Sequence, residues 1–130
     1  GLIRETGEFV INLTTGELTY ATDWCGVKSG RDVDKWKEMK LTKGGAAKLS
    51  YAPVILESPV NIECKVTEVK ELGSHDMFLA QVVAVQVDEK YMKKDGKFEL
   101  NSTGLLTYSH GEYFGLGKEL GRFGFSVKKR

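Results

Sequence analysis

Two apolar arms around a polar turn dominate the pattern of the chain. Between Val60 and Val66 apolar residues alternate with polar ones, and this period of two predicts a strand with one buried face. Residues 77–87 are apolar on both parities, which is typical of a strand deep in a sheet. The turn between the arms is Gly73-Ser74-His75-Asp76. The pattern therefore predicts that a long hairpin forms the frame of the sheet.

Shorter elements flank this hairpin. Residues 2–6, followed by Gly7, predict the last turns of a helix that ends at a glycine cap. Strand-like residues 9–13 follow at once. The other predicted elements are helices at 17–24 and 31–39, strands at 54–56 and 105–110, and a glycine-rich segment from Gly111. Short helices in the first half and strands in the second predict an α+β fold with a mainly antiparallel, barrel-like sheet.

Length and charge narrow the class of protein. The 130 residues, 41% of them hydrophobic, suit a single domain, 1–130, with its own core. A formal net charge of +1, from 19 basic and 18 acidic residues, gives no general attraction to nucleic acid or to an anionic membrane. No apolar run reaches the length of a membrane span. We predict a cytoplasmic protein, in which Cys25 and Cys64 are reduced thiols; a disulfide between them is the alternative.

Cations surround a glycine break between the two predicted helices. Lys28, Arg31 and Lys35 flank Ser29 and Gly30 just before the second helix. Free amides at a helix start, a hydroxyl and two kinds of cation together suit a phosphate. The alternative is a solvated, capped helix whose aspartates pair with the lysines. The spacing alone leaves both interpretations open.

Two further stretches offer groups that can border a ligand. His75 lies in the hairpin turn, where Asp76 can orient it and where its charge can change near neutral pH. His110 and Tyr113 flank a glycine-rich turn, and such groups can hydrogen-bond or stack on a flat ring. The alternatives are an exposed turn and aromatic residues that plug the barrel. No cluster has zinc spacing and no nucleophile elbow is present, so we assign neither a metal site nor a catalytic side chain.

At these stretches the chain resembles the flavin reductase-like proteins of the flavoredoxin group, which have the FMN-binding split-barrel fold. The similar runs include Ser29-Gly30-Arg31-Asp32 and Gly73-Ser74-His75-Asp76. Together they cover residues 5–13, 25–35, 57–64, 72–78 and 108–113. As a set these runs are specific, although each alone is weak.

The resemblance implies a homodimeric split barrel that binds FMN non-covalently and passes electrons from NADH, NADPH or another donor to a redox partner. It places the run from Ser29 to Asp32 near the flavin phosphate, which adds Asp32 to Lys28, Ser29, Arg31 and Lys35. His75 falls where related flavin reductases carry Gly-Asp-His near the nicotinamide, although the order here is Gly-Ser-His-Asp. The segment with His110 and Tyr113 falls near the flavin or the dimer interface.

The resemblance also implies strands ahead of the first helix. We therefore expect residues 1–130 to be an N-terminally truncated barrel whose free sheet edge pairs with another chain. The alternative function is a non-enzymatic ligand-binding or dimerisation barrel that cannot hold flavin in this form. An oligonucleotide-binding barrel is a third interpretation, and the balanced charge argues against it.

Overall fold

The computed structural model describes residues 1–128. Antiparallel strands and short helices alternate along the chain, with one long hairpin at the centre. In chain order the elements are α1 (Leu2–Thr6), β1 (Glu8–Asn12), α2 (Thr19–Val27), α3 (Lys35–Glu38), β2 (Lys43–Gly44), β3 (Val54–Ile55), β4 (Val60–Glu71), β5 (Asp76–Val87), β6 (Leu106–Ser109) and β7 (Glu112–Gly115). Single 3-10 turns cover Gly16–Leu18, Glu89–Tyr91, Leu100–Thr103 and Phe125–Val127.

The long hairpin is the middle and one edge of a three-stranded sheet in the order β1-β4-β5. Its strands pair from Val60 with Val87 to Glu71 with Asp76, which confirms the predicted hairpin. The ladder shifts register between Glu63 and Cys64, and again after Val66. Such bulges bend a strand and increase its twist, as a barrel-like sheet requires.

The second arm of the hairpin is not deep in the sheet, so that prediction is wrong. Within residues 1–128 β5 pairs only with β4, and Val82 and Val85 are each more than half exposed. An apolar pattern on both parities shows that both faces of a strand suit burial. It does not show that the same chain supplies the cover.

The first arm is buried on both faces where one buried face was predicted. Cys64 is buried as expected, and so are Asn61 and Glu63 on the opposite parity. The reason is the loop over residues 45–52, which lies across the polar face. Glu63 accepts hydrogen bonds from the amides of Ala47 and Lys48, each at 2.8 Å.

The boundaries of the helices are set by capping residues more than by hydrophobic periodicity. Gly7 ends α1 in the left-handed region at φ 69°, which confirms the predicted glycine cap. The second helix begins later than predicted, at Thr19, and continues to Val27. The prediction of a helix over 31–39 is wrong, because only Lys35–Glu38 is helical. Asp34 caps this single turn and accepts from the amides of Trp36 and Lys37.

The glycine-rich segment contains a second hairpin, β6–β7. Its turn holds His110, which has the left-handed φ of 49°. Backbone hydrogen bonds of 2.9 Å, from Gly16 to Gly104 and from Leu106 to Thr14, join it to the end of β1. Beyond β7 the chain runs on with exposed apolar side chains, among them Phe123.

The chain exposes far more surface than a compact monomer of its size. Its accessible area is 10,273 Å². A folded monomer of 14.5 kDa exposes about 6,900 Å². Among residues 1–128, none of the helices has the length and apolar character needed to cross a membrane.

Candidate functional site

The cation-rich segment before α3 forms a tight turn. The Ser29 hydroxyl accepts from the amide of Arg31 at 3.2 Å, and the Ser29 carbonyl accepts from the amide of Asp32 at 3.1 Å. The first amides of α3 are already bonded to the carboxylate of Asp34. The predicted use of helix-start amides for an anion is therefore wrong, and an anion here would have to bind side chains.

Three cations lie around one cavity beside this turn. Arg31, Lys35 and Lys43 line a space of about 670 Å³ together with Asp32 and Asp34. The Lys35 ammonium also donates to the Cys25 carbonyl at 2.6 Å, which fixes its position. In the described part of the chain, no ion pair within 4.0 Å joins the aspartates of this turn to a lysine. The lining thus carries three cations and two carboxylates, an excess of one positive charge, and the cations are not held in ion pairs with these aspartates.

A second, mostly apolar cavity of about 420 Å³ adjoins the first. Leu2 and Trp36 line both cavities, so the two lie next to each other, and we call the pair the amphipathic groove. The Lys43 ammonium lies 5.2 Å from the centroid of the Trp36 ring, a cation–π contact at the junction. The apolar half is lined by Leu2, Ile3, Thr6, Glu8, Phe9, Val10, Asn12, Trp36, Tyr51, Ala52, Pro53 and Ile55.

The sequence did not single out Lys43, Trp36 or Tyr51 as site residues. Lys43 lies in the two-residue strand β2 and Tyr51 in the loop before β3, at a distance in sequence from the predicted phosphate segment. Trp36 falls within the helix predicted over 31–39. The only available signal was an aromatic residue directly after Lys35, and that pattern is common in helices that pack on a core.

Buried carboxylates hold the loop that forms one wall of the groove. Glu8 accepts from the amides of Ser50, Tyr51 and Ala52, and Glu63 accepts from Gln86 Nε2 at 2.9 Å besides its two loop amides. Burial alone raises the pKa of both carboxyl groups, but these donors outweigh it and hold each pKa below its usual range. Both glutamates are therefore ionised at neutral pH and fix the backbone that carries Tyr51.

The other predicted site residues lie outside the amphipathic groove. Lys28 and Ser29 lie directly before Gly30, a lining residue, but do not line the groove themselves. His75 lies at the exposed tip of the β4–β5 hairpin, and its Nδ1 is 3.0 Å from the Ser74 hydroxyl. Asp76 does not orient this histidine as predicted, because its carboxylate binds Arg4 at 2.9 Å.

The second hairpin is attached to α2 through Tyr113. The Tyr113 hydroxyl donates to Asp23 at 2.9 Å, and this bond raises the pKa of the phenol. Tyr108 packs edge-on against the Tyr113 ring at 5.2 Å. His110 is exposed in the hairpin turn. Roles for His75, His110 and Tyr113 at a flavin or donor site stay predictions that no contact in residues 1–128 tests.

The two thiols differ in their surroundings. Cys64 is buried, and burial raises the pKa of its thiol, so it belongs to the core as predicted. Cys25 is half-buried, and both cysteines are free. Residues 1–128 contain no group of three or more His, Cys, Asp or Glu side chains arranged to hold a metal ion.

Comparison with known proteins places the chain in the class of split-barrel flavin reductase-like proteins. The flavin reductase like domain family matches residues 1–117, and the chain belongs to this family. The match covers α1, both long strands, the amphipathic groove and the β6–β7 hairpin. It confirms the predicted α+β class with a mainly antiparallel split barrel and short flanking helices.

Individual relatives agree with this assignment. The flavoredoxin of Desulfovibrio vulgaris (Miyazaki F) is 27% identical, with a TM-score of 0.85 over 97% of this chain and 68% of that one. An FMN-binding protein from Thermus thermophilus is 26% identical, with a TM-score of 0.73 over 94% of this chain and 65% of that one. An uncharacterised protein of Archaeoglobus fulgidus is 33% identical over 87% of this chain. The chain spans 62% of the length of that curated relative.

Proposed function

We propose that the chain binds FMN non-covalently in the amphipathic groove and that the whole protein transfers electrons through it. The observation that carries the proposal is that a cavity lined by three cations lies next to an apolar, aromatic one and shares Leu2 and Trp36 with it. FMN has a dianionic phosphate at one end and, at the other, a flat aromatic ring system that is apolar on its dimethylbenzene side and polar on its pyrimidine side. The names of the flavoredoxin and the FMN-binding relative support the same cofactor.

Each half of the groove suits one end of FMN. Arg31 and Lys43 supply a guanidinium fork and an ammonium to a phosphate, and Lys35 is held near them by its bond to Cys25. Trp36 and Tyr51 offer aromatic surface to a ring. Bound FMN supplies the redox chemistry, while these side chains bind, orient and shield it from water.

The direct test compares FMN with riboflavin, which has the same ring and no phosphate. We expect FMN to bind at least about tenfold more tightly, because charge-assisted hydrogen bonds to the phosphate are the stronger contacts. Quenching of flavin fluorescence on titration with the protein measures both affinities. Equal affinities would remove the phosphate assignment, and no binding of either flavin would favour the alternative of a non-enzymatic barrel.

We propose a nicotinamide nucleotide as one electron donor, in line with the family to which the chain belongs. Oxidation of NADH or NADPH that requires both the protein and FMN supports a reductase. FMN binding without such oxidation indicates an electron carrier that takes its electrons from another donor.

We also propose that the protein is a homodimer and that the exposed face of β5 lies in the interface. The excess exposed area and the apolar side chains of Val82 and Val85 support a second copy as the cover. Val82 pairs with Cys64 and Val85 pairs with Ile62 across the β4–β5 ladder, so both valine side chains lie on the same face of the sheet.

Replacing Val82 by aspartate tests this interface. We expect the parent to sediment at twice the 14.5 kDa of one chain and Val82→Asp at 14.5 kDa, because an interface does not tolerate an unpaired charge. Gln81→Asp places the same charge on the other face of β5 and is expected to remain dimeric. A parent that sediments as a monomer would contradict the proposal.

A further inference from the structure

A smaller cavity lies next to the apolar half of the amphipathic groove. It has a volume of about 210 Å³, is lined by α2 together with residues of β1 and β3, and opens partly to solvent. Asn12 and Ile55 line both this cavity and the apolar half of the groove. The full lining is Asn12, Thr14, Leu18, Ala21, Thr22, Cys25, Leu41, Ile55 and Ser58.

The polar groups of this lining are already engaged with the protein. The Ser58 hydroxyl donates to the Leu13 carbonyl at 2.6 Å, and the Thr22 hydroxyl donates to Leu18 at 2.7 Å. The Asn12 amide donates to Asn61 at 2.5 Å. The interior that remains is therefore largely apolar and offers few unmatched hydrogen-bonding groups to water or to a polar ligand.

Charge narrows the class of ligand further. Among residues 1–128 no charged side chain lines the cavity, so an ion that enters it would lose part of its hydration without compensation. An apolar lining favours small apolar molecules, as in an engineered cavity of about 150 Å³ that binds benzene, although the present cavity is partly open to solvent. Thr14 adds one hydroxyl that can meet a single hydroxyl or carbonyl group.

We infer that this cavity binds a small, uncharged organic molecule of about the size of one substituted ring. The bound molecule would lie against Ile55 and Asn12, directly beside the apolar half of the amphipathic groove. The site goes beyond the proposed function, since its binding chemistry does not depend on FMN.

Cys25 in the cavity wall reports occupancy. The half-buried thiol is open to slow alkylation by iodoacetamide, whereas buried Cys64 serves as an internal control. Benzyl alcohol is the uncharged probe, and benzoate is the charged control of similar size. At a benzyl alcohol concentration four times its dissociation constant, we expect alkylation of Cys25 to slow about fivefold by mass action. Benzoate at the same concentration is expected to have no effect.

Variants that fill the cavity test whether benzyl alcohol binds inside it. Ala21→Phe inserts a ring from α2 and is expected to abolish protection, while FMN affinity stays that of the parent. Thr22→Leu takes less volume, suits a helix and is expected to weaken protection, so it serves if Ala21→Phe does not fold. Protection by benzoate, protection that persists in the variant that folds, or no protection up to the solubility limit of benzyl alcohol would overturn the inference. None of these results bears on FMN binding, which is measured separately.

Discussion

Replacing Arg31 by alanine is expected to weaken FMN binding by about tenfold or more while leaving the free energy of unfolding unchanged. Arg31 is exposed, lines the cation-lined cavity and has no ion-pair partner among the described residues. The fold therefore does not depend on it, whereas a phosphate in that cavity does. Fluorescence titration with FMN and urea unfolding of the same preparations measure the two quantities.

Lys37→Ala is the matched control for Arg31→Ala. Lys37 is an exposed cation on the single turn α3, six residues further along, and it does not line the groove. Its removal changes the net charge equally and is expected to leave FMN affinity within about twofold of the parent value. Riboflavin affinity should be nearly the same in all three proteins. An equal loss in both variants would point to general electrostatic attraction instead of a phosphate contact.

Glu63→Ala is expected to lower the free energy of unfolding by about 3 kcal/mol. Glu63 is fully buried, and its carboxylate accepts from Ala47, Lys48 and Gln86. Truncation leaves three donors without their acceptor and opens a void under the loop over 45–52. Urea unfolding at neutral pH and one protein concentration measures the change.

Glu68→Ala on the same strand provides the comparison for Glu63→Ala. Glu68 is exposed, and its only ion pair among residues 1–128 is a loose one of 3.9 Å with Lys70. Its loss should cost no more than about 0.5 kcal/mol. A cost for Glu63→Ala in that same small range would contradict the role of the buried carboxylate.

The same carboxylates set the response of the fold to acid. The pKa values of Glu8 and Glu63 are lowered in the folded state, so the unfolded chain takes up protons first as the pH falls. Their contribution is therefore complete above the ordinary glutamate pKa and is lost as the pH falls through the lower folded values. Glu63→Gln is expected to flatten this part of the stability profile, and an unchanged slope would contradict the assignment.

Local signals in the sequence predicted the frame of the fold well. The strand indicated by the alternation from Val60 to Val66, the polar turn and the glycine cap at Gly7 depend on neighbouring residues, and the structure confirms all three, although both faces of the strand are buried where one was predicted. The resemblance to flavin reductase-like proteins was likewise correct. In contrast, the length of α3 depends on Asp34, whose side chain starts the helix four residues later than the periodicity indicated.

Contacts between distant segments could not be predicted. Glu63 alternates with apolar residues as a solvent-facing residue would, and only the loop of residues 45–52 explains its burial. In the same way Lys43 reaches the groove because β2 pairs with β3, a pairing of two residues that leaves no pattern. For β5 the sequence indicated that both faces suit burial, but it carried no information on which surface covers them.

The loop over 45–52 is held by its backbone amides and not by its side chains. Its shape therefore depends on the carboxylates of Glu8 in β1 and Glu63 in β4, which accept from these amides. The side chains of the loop can be replaced without loss of these hydrogen bonds. A lineage could replace Tyr51, and with it the surface offered to a ligand, without refolding the loop or destabilising the sheet. Substitutions that change the ligand-facing surface are therefore separate from the contacts that hold the fold. We expect related proteins to differ more in ligand preference than in architecture.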